Sequence, residues 1–267
     1  MQRKAIGVID SGVGGLTVAR ELMRQLPNEQ LIYLGDTKRC PYGPRTREEV
    51  IEFTWQMVNH LLRKDIKLLV VACNTATAFT LEELQEELEI PVIGVIQPGA
   101  RAAIKVSQNK RIGVIGTEGT ISSQAYTKAL HGIDKSIVVK GLACPAFVPM
   151  VEDGILEGGL AEETVKNSLH PLKANNGIDT LILGCTHYPL IRHLIQKEMG
   201  EKIQVICSGE ETAREVSLIL AYQKLTFNGD DKPQHEFYTT GDLEKFEKVA
   251  NIWFEEPIEY LKPVIID

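Results

Sequence analysis

The sequence predicts an α/β protein of two pseudosymmetric domains, each a mainly parallel sheet flanked by helices, with the active site in the interdomain cleft. Three observations carry this. Short apolar runs rich in β-branched residues alternate with helix-like segments along the chain, the signature of βαβ units around a parallel sheet. Landmarks of the first half recur in the second, in order and at a nearly constant offset. Two of the runs end in matching cysteines: Leu68-Leu69-Val70-Val71-Ala72-Cys73-Asn74-Thr75 and Thr180-Leu181-Ile182-Leu183-Gly184-Cys185-Thr186-His187.

Taken in order, Ala5–Ile9 and Leu31–Leu34 read as the first two strands, continuous in apolar residues as strands buried on both faces must be. Val50–Leu62 repeats apolar residues at three- and four-residue spacing and predicts a helix. Strands follow at Leu68–Ala72 and Val92–Val95, and Pro98-Gly99 reads as a turn closing the first copy. The second copy supplies strands at Ile112–Ile115, Ile137–Leu142, Leu181–Leu183 and Val205–Ile206, closed by Ser208-Gly209. Helices around Ala213–Leu225 and Phe246–Phe254 return to the first domain. The domains are therefore 1–97 plus 207–267, and 98–206.

Chance could supply one such echo but does not easily explain four in register. Ile6-Gly7-Val8-Ile9 recurs as Ile112-Gly113-Val114-Ile115, 106 positions on, and Cys40-Pro41 as Cys144-Pro145, 104 positions on. Cys73 and Cys185 are 112 apart, and Val92-Ile93 with Ala100-Arg101 recur 113 later as Val205-Ile206 with Ala213-Arg214. The jump from 104 to 112 places about eight extra residues between Cys144 and Cys185, around Glu152 to Gly159.

Composition narrows the function. A net charge of −7 argues against a nucleic-acid surface, which needs a basic stripe. No apolar run approaches the ~20 residues of a membrane helix, and a first strand by about Lys4 leaves no room for a signal peptide. Five cysteines, an odd number without scaffold spacing, fit a reducing compartment. The expectation is a cytoplasmic protein that binds a small molecule, with no nucleic-acid or membrane partner and with a homodimer left open.

Ligands of open α/β sheets gather at the carboxyl ends of strands. A duplicated strand-end thiol therefore suggests one sulfur on each wall of a cleft. Inverting a carbon centre needs a base on one face and an acid on the other, and two groups of one kind serve both directions. Cysteine suits the task because its thiolate is attainable from a reference pKa of roughly 8.5. The motif Asp10-Ser11-Gly12-Val13-Gly14-Gly15 after the first strand leaves three readings open: a dinucleotide fingerprint with Asp36 as ribose partner, a plain turn, or a site where helix-start amides hold an anion and Asp10 a cation. Thr17 replaces the third small residue of the fingerprint. A zinc set of Cys73, Cys185, His187 and Asp10, a redox pair, and a binding module without chemistry are the competing readings. Cys40, Cys144 and Cys207 are read as structural, and Lys38, Arg39, Arg45 and Arg47 as a solvated rim.

These motifs resemble the aspartate/glutamate racemase family over nearly the whole chain. The residues that carry the likeness are Gly7–Leu16, Arg39-Cys40-Pro41-Tyr42-Gly43, Ala72-Cys73-Asn74-Thr75-Ala76-Thr77 and Leu183-Gly184-Cys185-Thr186-His187-Tyr188-Pro189. The resemblance implies a glutamate racemase activity with no cofactor and no metal, supplying D-glutamate for peptidoglycan. It implies Cys73 and Cys185 as acid/base thiols, Asp10 assisting the first, and His187 and Glu152 the second. Substrate contacts carried over are Asp10, Ser11, Tyr42, Gly43, Asn74, Thr75, Thr186 and His187.

Overall fold

The computed structural model describes residues 2–174, 177–229, 231–254 and 258–266. The first half runs β1 (Ile6–Asp10), α1 (Leu16–Gln25), β2 (Leu31–Gly35), α2 (Arg47–Leu62), β3 (Leu68–Val71), α3 (Asn74–Glu87), β4 (Val92–Gly94) and α4 (Ile96–Val106). The second runs β5 (Arg111–Gly116), α5 (Glu118–Ser122), α6 (Ala125–Ile133), β6 (Val138–Ala143), α7 (Phe147–Glu152) and α8 (Gly159–Ala174). It continues with β7 (Thr180–Gly184), a 3-10 turn (Tyr188–Ile191), α9 (Arg192–Met199) and β8 (Gln204–Ile206). The chain closes with α10 (Gly209–Tyr222), β9 (Glu236–Thr239), α11 (Leu243–Trp253) and β10 (Leu261–Pro263).

Two sheets result, ordered β10-β9-β2-β1-β3-β4 and β6-β5-β7-β8, and every pairing in them is parallel. The order β2-β1-β3-β4 is repeated as β6-β5-β7-β8, so the sequence repeat is a repeat of topology. In each copy the strand order reverses beside the first strand, which opens a crevice at the strand ends. The ends of β1 and β3 flank that crevice in one sheet, and the ends of β5 and β7 in the other.

Period-two patterning decides which residues face which helices. Ile6, Val8, Leu68 and Val70 pack with Leu16, Leu22 of α1 and Val216, Leu220 of α10. Their sequence neighbours Ile9, Leu69 and Val71 pack on the opposite face with Val50, Met57, Leu61 of α2 and Leu84 of α3. These side chains are fully or almost fully buried, each stabilising the sheet by about 1.5–3 kcal/mol. Helix α2 starts where Thr46 accepts from the Glu49 amide at 3.2 Å while the Glu49 carboxylate accepts from the Thr46 amide at 2.9 Å, a reciprocal cap. The second sheet is cored by Phe147 and Tyr188, edge to face at 5.1 Å, among Leu181, Leu183 and Val165.

Three expectations are corrected. Pro98-Gly99 is not a turn: both residues lie in the first turn of α4, where a proline costs no intrahelical bond. Gly99 is small because Tyr126 and Ser208 press on it, at 3.1 and 3.2 Å from where a β-carbon would stand. Gly209 likewise opens α10 rather than a turn. Strands β9 and β10 extend the first sheet beyond β2 and were not expected from the sequence. The register break falls where inferred, since residues 36–46 link β2 to α2 but the longer stretch 144–158 links β6 to α8 and contains α7.

Candidate active site

Asp10 is the last residue of β1 and has no exposed surface. Its Oδ2 accepts from the Gly12 amide at 3.0 Å and its Oδ1 from the Thr186 hydroxyl at 3.1 Å. The Val13 amide is taken by Glu152 Oε1 at 3.1 Å. The amides that a pyrophosphate would need thus already serve two carboxylates, which removes the dinucleotide reading. Thr17, the misfit in that fingerprint, donates to Gly14 O at 2.8 Å and to Thr186 O at 3.2 Å, locking the turn against the opposite sheet. Asp36 is no ribose partner either: it accepts from Tyr42 at 2.5 Å, Arg39 at 2.6 Å and Thr240 at 2.7 Å.

Cys73 caps α3, its sulfur accepting from the Ala76 amide at 3.5 Å and donating to Ser11 Oγ at 3.4 Å. A helix amino terminus carries partial positive charge and favours a thiolate. Asn74 and Thr75 follow in the first turn. The Asn74 Oδ1 accepts from Tyr126 at 2.8 Å, and its buried Nδ2 has no protein acceptor. Thr75 Oγ1 shares hydrogen bonds with Thr117 at 2.8 Å and Thr120 at 3.2 Å. Tyr42 and Gly43 follow the cis Cys40-Pro41 bond, and the Gly43 carbonyl accepts from the Gly119 amide at 3.0 Å.

On the other wall, Cys185, Thr186 and His187 follow β7 without a regular helix, the chain turning through Tyr188–Ile191 instead. His187 Nδ1 lies 3.7 Å from Cys185 Sγ, and its Nε2 lies 2.6 Å from Glu152 Oε1. Glu152 ends α7 and reaches both walls, meeting His187, the Val13 amide and, at 3.5 Å, the Cys40 thiol. Both Gly12 and Gly14 lie under this cluster. A β-carbon on Gly14 would overlap His187 Nδ1, so the turn admits no side chain there.

The electrostatics are those of a closed polar pocket. Burial pushes Asp10 from 3.8 up to about 6, against the pull of His187 and of hydrogen bonds from Gly12, Gly15 and Thr186. Burial, with Asp10 adding, raises Cys73 from 9.0 to about 12, while Ser11 and the Ala76 amide draw it back. Burial opposes charge on His187, but hydrogen bonds to Cys185, Cys40 and Glu152 overcome it and hold the imidazole well above its ordinary 6.5. Glu152 is lowered despite its burial because His187, the Val13 amide and Cys40 favour the carboxylate.

Hydrogen bonds thus join the two strand-end regions through candidate residues: Thr186 to Asp10, Glu152 to His187 and the Val13 amide, and Thr75 to Thr117. Two readings change. Cys40, taken as structural, sits against Glu152. Arg39, taken as solvated rim, is four-fifths buried, pairs with Asp36, bonds Gln56 and stacks on Phe53 at 4.0 Å. Thr117, Thr120 and Tyr126 were missed. The repeat offered a signal for one of them, since Thr117 lies 106 positions after Ser11. Cys144 and Cys207 keep their structural reading; Cys144 is buried in the second core.

Together, the duplicated parallel sheets and the thiols at the ends of the equivalent strands β3 and β7 define an α/β protein with a strand-end cleft of the racemase kind. The Asp/Glu/Hydantoin racemase family model matches residues 6–216, and the chain belongs to that family. A glutamate racemase of Oceanobacillus iheyensis is 64% identical over 253 residues, spanning 95% of this chain and 92% of its own. The crystal structure of a glutamate racemase isoform from Bacillus anthracis superposes with a TM-score of 0.95 at 51% identity, covering 99% of this chain and 98% of that one. The glutamate racemase of Francisella tularensis in complex with D-glutamate does so at 0.92 and 35% identity, covering 100% and 99%.

Proposed function

We propose that this protein is a glutamate racemase that interconverts L- and D-glutamate through Cys73 and Cys185 and so supplies D-glutamate for peptidoglycan. The observation that carries the reading is the placement of two thiols at the ends of equivalent strands, β3 and β7, in two copies of one topology.

The chemistry balances with the two sulfurs alone. The thiolate on one wall removes the α-proton, and the thiol on the other gives its proton to the opposite face of the carbanion-like carbon. The product carries inverted configuration and the two sulfurs have exchanged states; the reverse reaction uses the same groups in exchanged roles. Asp10 stands beside Cys73, and His187, braced by Glu152, stands beside Cys185, so each thiol has its own partner. The substrate ammonium fits Asp10, whose raised pKa a nearby positive charge would bring down again. Ser11, Asn74, Thr75, Tyr42, Gly43, Thr186 and His187 offer hydrogen bonds to the two carboxylates, and the Asn74 Nδ2 supplies a donor that the protein itself leaves unused. A dry, preorganised cleft strengthens each of these contacts as charge develops on the α-carbon.

The units 1–97 plus 207–267, and 98–206, part to exchange substrate and close for proton transfer. Among the polar contacts that would break are Thr186 to Asp10, Val13 to Glu152, Thr75 to Thr117 and Tyr126 to Asn74.

Incubation of L-glutamate with the purified protein in heavy water tests the reading. Loss of optical rotation with deuterium at the α-carbon is the expected result. Retained rotation with no α-exchange would refute it.

A further inference from the structure

We propose that Cys40, Glu152 and His187 form a binding site for a thiophilic divalent cation, Zn2+ foremost, whose occupancy switches racemisation off. The inference rests on the two-thiol reading above for its effect on activity, but the site itself is read from geometry.

The three ligands come from three separate elements. Cys40 follows β2 in the first sheet, Glu152 ends α7, and His187 follows β7 in the second sheet. Cys40 Sγ, a Glu152 oxygen and a His187 ring nitrogen all lie within 4.8 Å of one another. Tetrahedral zinc, with bonds of about 2.0–2.3 Å, holds its ligand atoms about 3.3–3.8 Å apart. The sulfur-to-oxygen separation of 3.5 Å already fits. The Nε2-to-Oε1 separation of 2.6 Å must open by about 1 Å, which the loss of the proton between them permits.

A second observation agrees. The three atoms converge on the bare face of Gly12, where a β-carbon would overlap Glu152 Oε1 and stand 3.0 Å from Cys40 Sγ and 3.2 Å from His187 Nε2. Any side chain at position 12 would collide with this set, so the bare glycine is what lets the three groups converge. His187 is also held in the orientation a ligand needs, because its other nitrogen faces Cys185 at 3.7 Å. A thiolate, an imidazole and a carboxylate form the mixed S, N, O set that zinc accepts and that magnesium or calcium, with their oxygen ligands, do not.

Binding would release the Cys40 thiol proton and the proton shared by His187 and Glu152 to solvent. With the cation on Nε2, His187 could no longer assist Cys185, so one face of the substrate would lose its acid/base partner. The same cation would tie Cys40 on the first sheet to Glu152 and His187 on the second, stapling the cleft.

The experiment uses the full-length protein, stripped of metal and held reduced by a non-chelating reductant. Racemisation should fall at least tenfold with one equivalent of Zn2+ and return with EDTA. Co2+ should bind one per chain with a thiolate-to-cobalt charge-transfer band in the near ultraviolet. That band should persist in Cys73→Ser and vanish in both Cys40→Ser and Cys40→Val, each first shown to melt as a folded protein. The Cys40 variants should also need at least tenfold more Zn2+ for half inhibition of whatever activity they keep. A band retained in both Cys40 variants, a band lost in Cys73→Ser, or zinc bound without loss of rate would each overturn the proposal. Should metal-free protein fail to racemise glutamate while the Cys40-dependent band forms, the racemase reading falls and the cation site stands.

Discussion

The Thr186 hydroxyl donates to Asp10 Oδ1 at 3.1 Å, joining the end of β7 to the end of β1 across the cleft. The bond ties a carboxylate at the first thiol to the peptide that follows the second. It also requires Asp10 to remain buried, and burial of a carboxylate has a pH signature.

Asp10 ionises near 3.8 when unfolded and near 6 in the native state. Between those values the native protein binds more protons, so this group makes stability fall as pH rises, with its whole penalty present above about pH 6. A shift of about two units corresponds to on the order of 3 kcal/mol. Asp10→Asn keeps both hydrogen bonds, with Oδ1 to Gly12 and Nδ2 donating to the Thr186 hydroxyl. Its stability relative to the parent, measured by urea unfolding at pH 5 and 7.5, should improve at the higher pH while racemisation is lost. A relative stability that falls with pH would contradict the burial argument.

Replacing either thiol separates the two faces. Cys73→Ser and Cys185→Ser should both lose racemisation yet still eliminate chloride from β-chloroalanine, each from one enantiomer and the two from opposite ones. Chiral assay of the unreacted substrate reads this directly. A shared preference would place both sulfurs on one face.

Glu152 bears on only one of the two thiols. Glu152→Gln removes a carboxylate that, together with Cys185 and Cys40, holds His187 protonated, so elimination dependent on Cys185 should slow by about a hundredfold, the lower range for general acid–base assistance. Elimination dependent on Cys73 should change much less. Equal losses in both would assign Glu152 to shaping the cleft rather than to one base.

A methyl group on Gly14 would strike His187. Gly14→Ala should therefore lower racemisation by at least tenfold with a Tm drop of only a few degrees, seen by comparing rate and thermal melt. An active Gly14→Ala would show that the turn and His187 yield to each other at little cost.

Far from the cleft, Lys67 Nζ lies 2.5 Å from Glu29 Oε2 with both side chains almost wholly buried, and it donates to Gln2 O and Leu225 O. Lys67→Met leaves buried Glu29 without its cationic partner and should cost about 3–5 kcal/mol. Combining it with Glu29→Leu should recover much of that loss in urea melts, the remainder being the Phe227 amide left without its Glu29 Oε1 acceptor.

The eight strands of the repeat were legible because continuous apolar runs leave few other options. Strands β9 and β10 were not: Glu236–Thr239 is a short run with a charged first residue, and Leu261–Pro263 is an edge strand carrying lysine and proline. Edge strands need no apolar pattern, and these residues discourage further pairing. In the site, the thiols and Asp10 announced themselves by position at strand ends. Cys40 and Arg39 did not, since a cysteine before a proline and an arginine among other cations look the same in a turn and against a buried carboxylate. Glu152 was reachable only through family likeness, because it lies where the repeat loses register and has no counterpart in the first copy.

The first sheet is assembled from both ends of the chain, with β9 and β10 arriving to cover β2 only after the whole four-stranded second sheet has been made. During synthesis the second sheet is contiguous and can complete itself first, while β2 waits as an open edge for nearly the entire length of translation. A message cut short after α10 would yield a chain carrying every residue of the cleft but with that edge permanently bare. Such a product would be chemically equipped yet would present β2 as an unpaired edge, a template for aggregation.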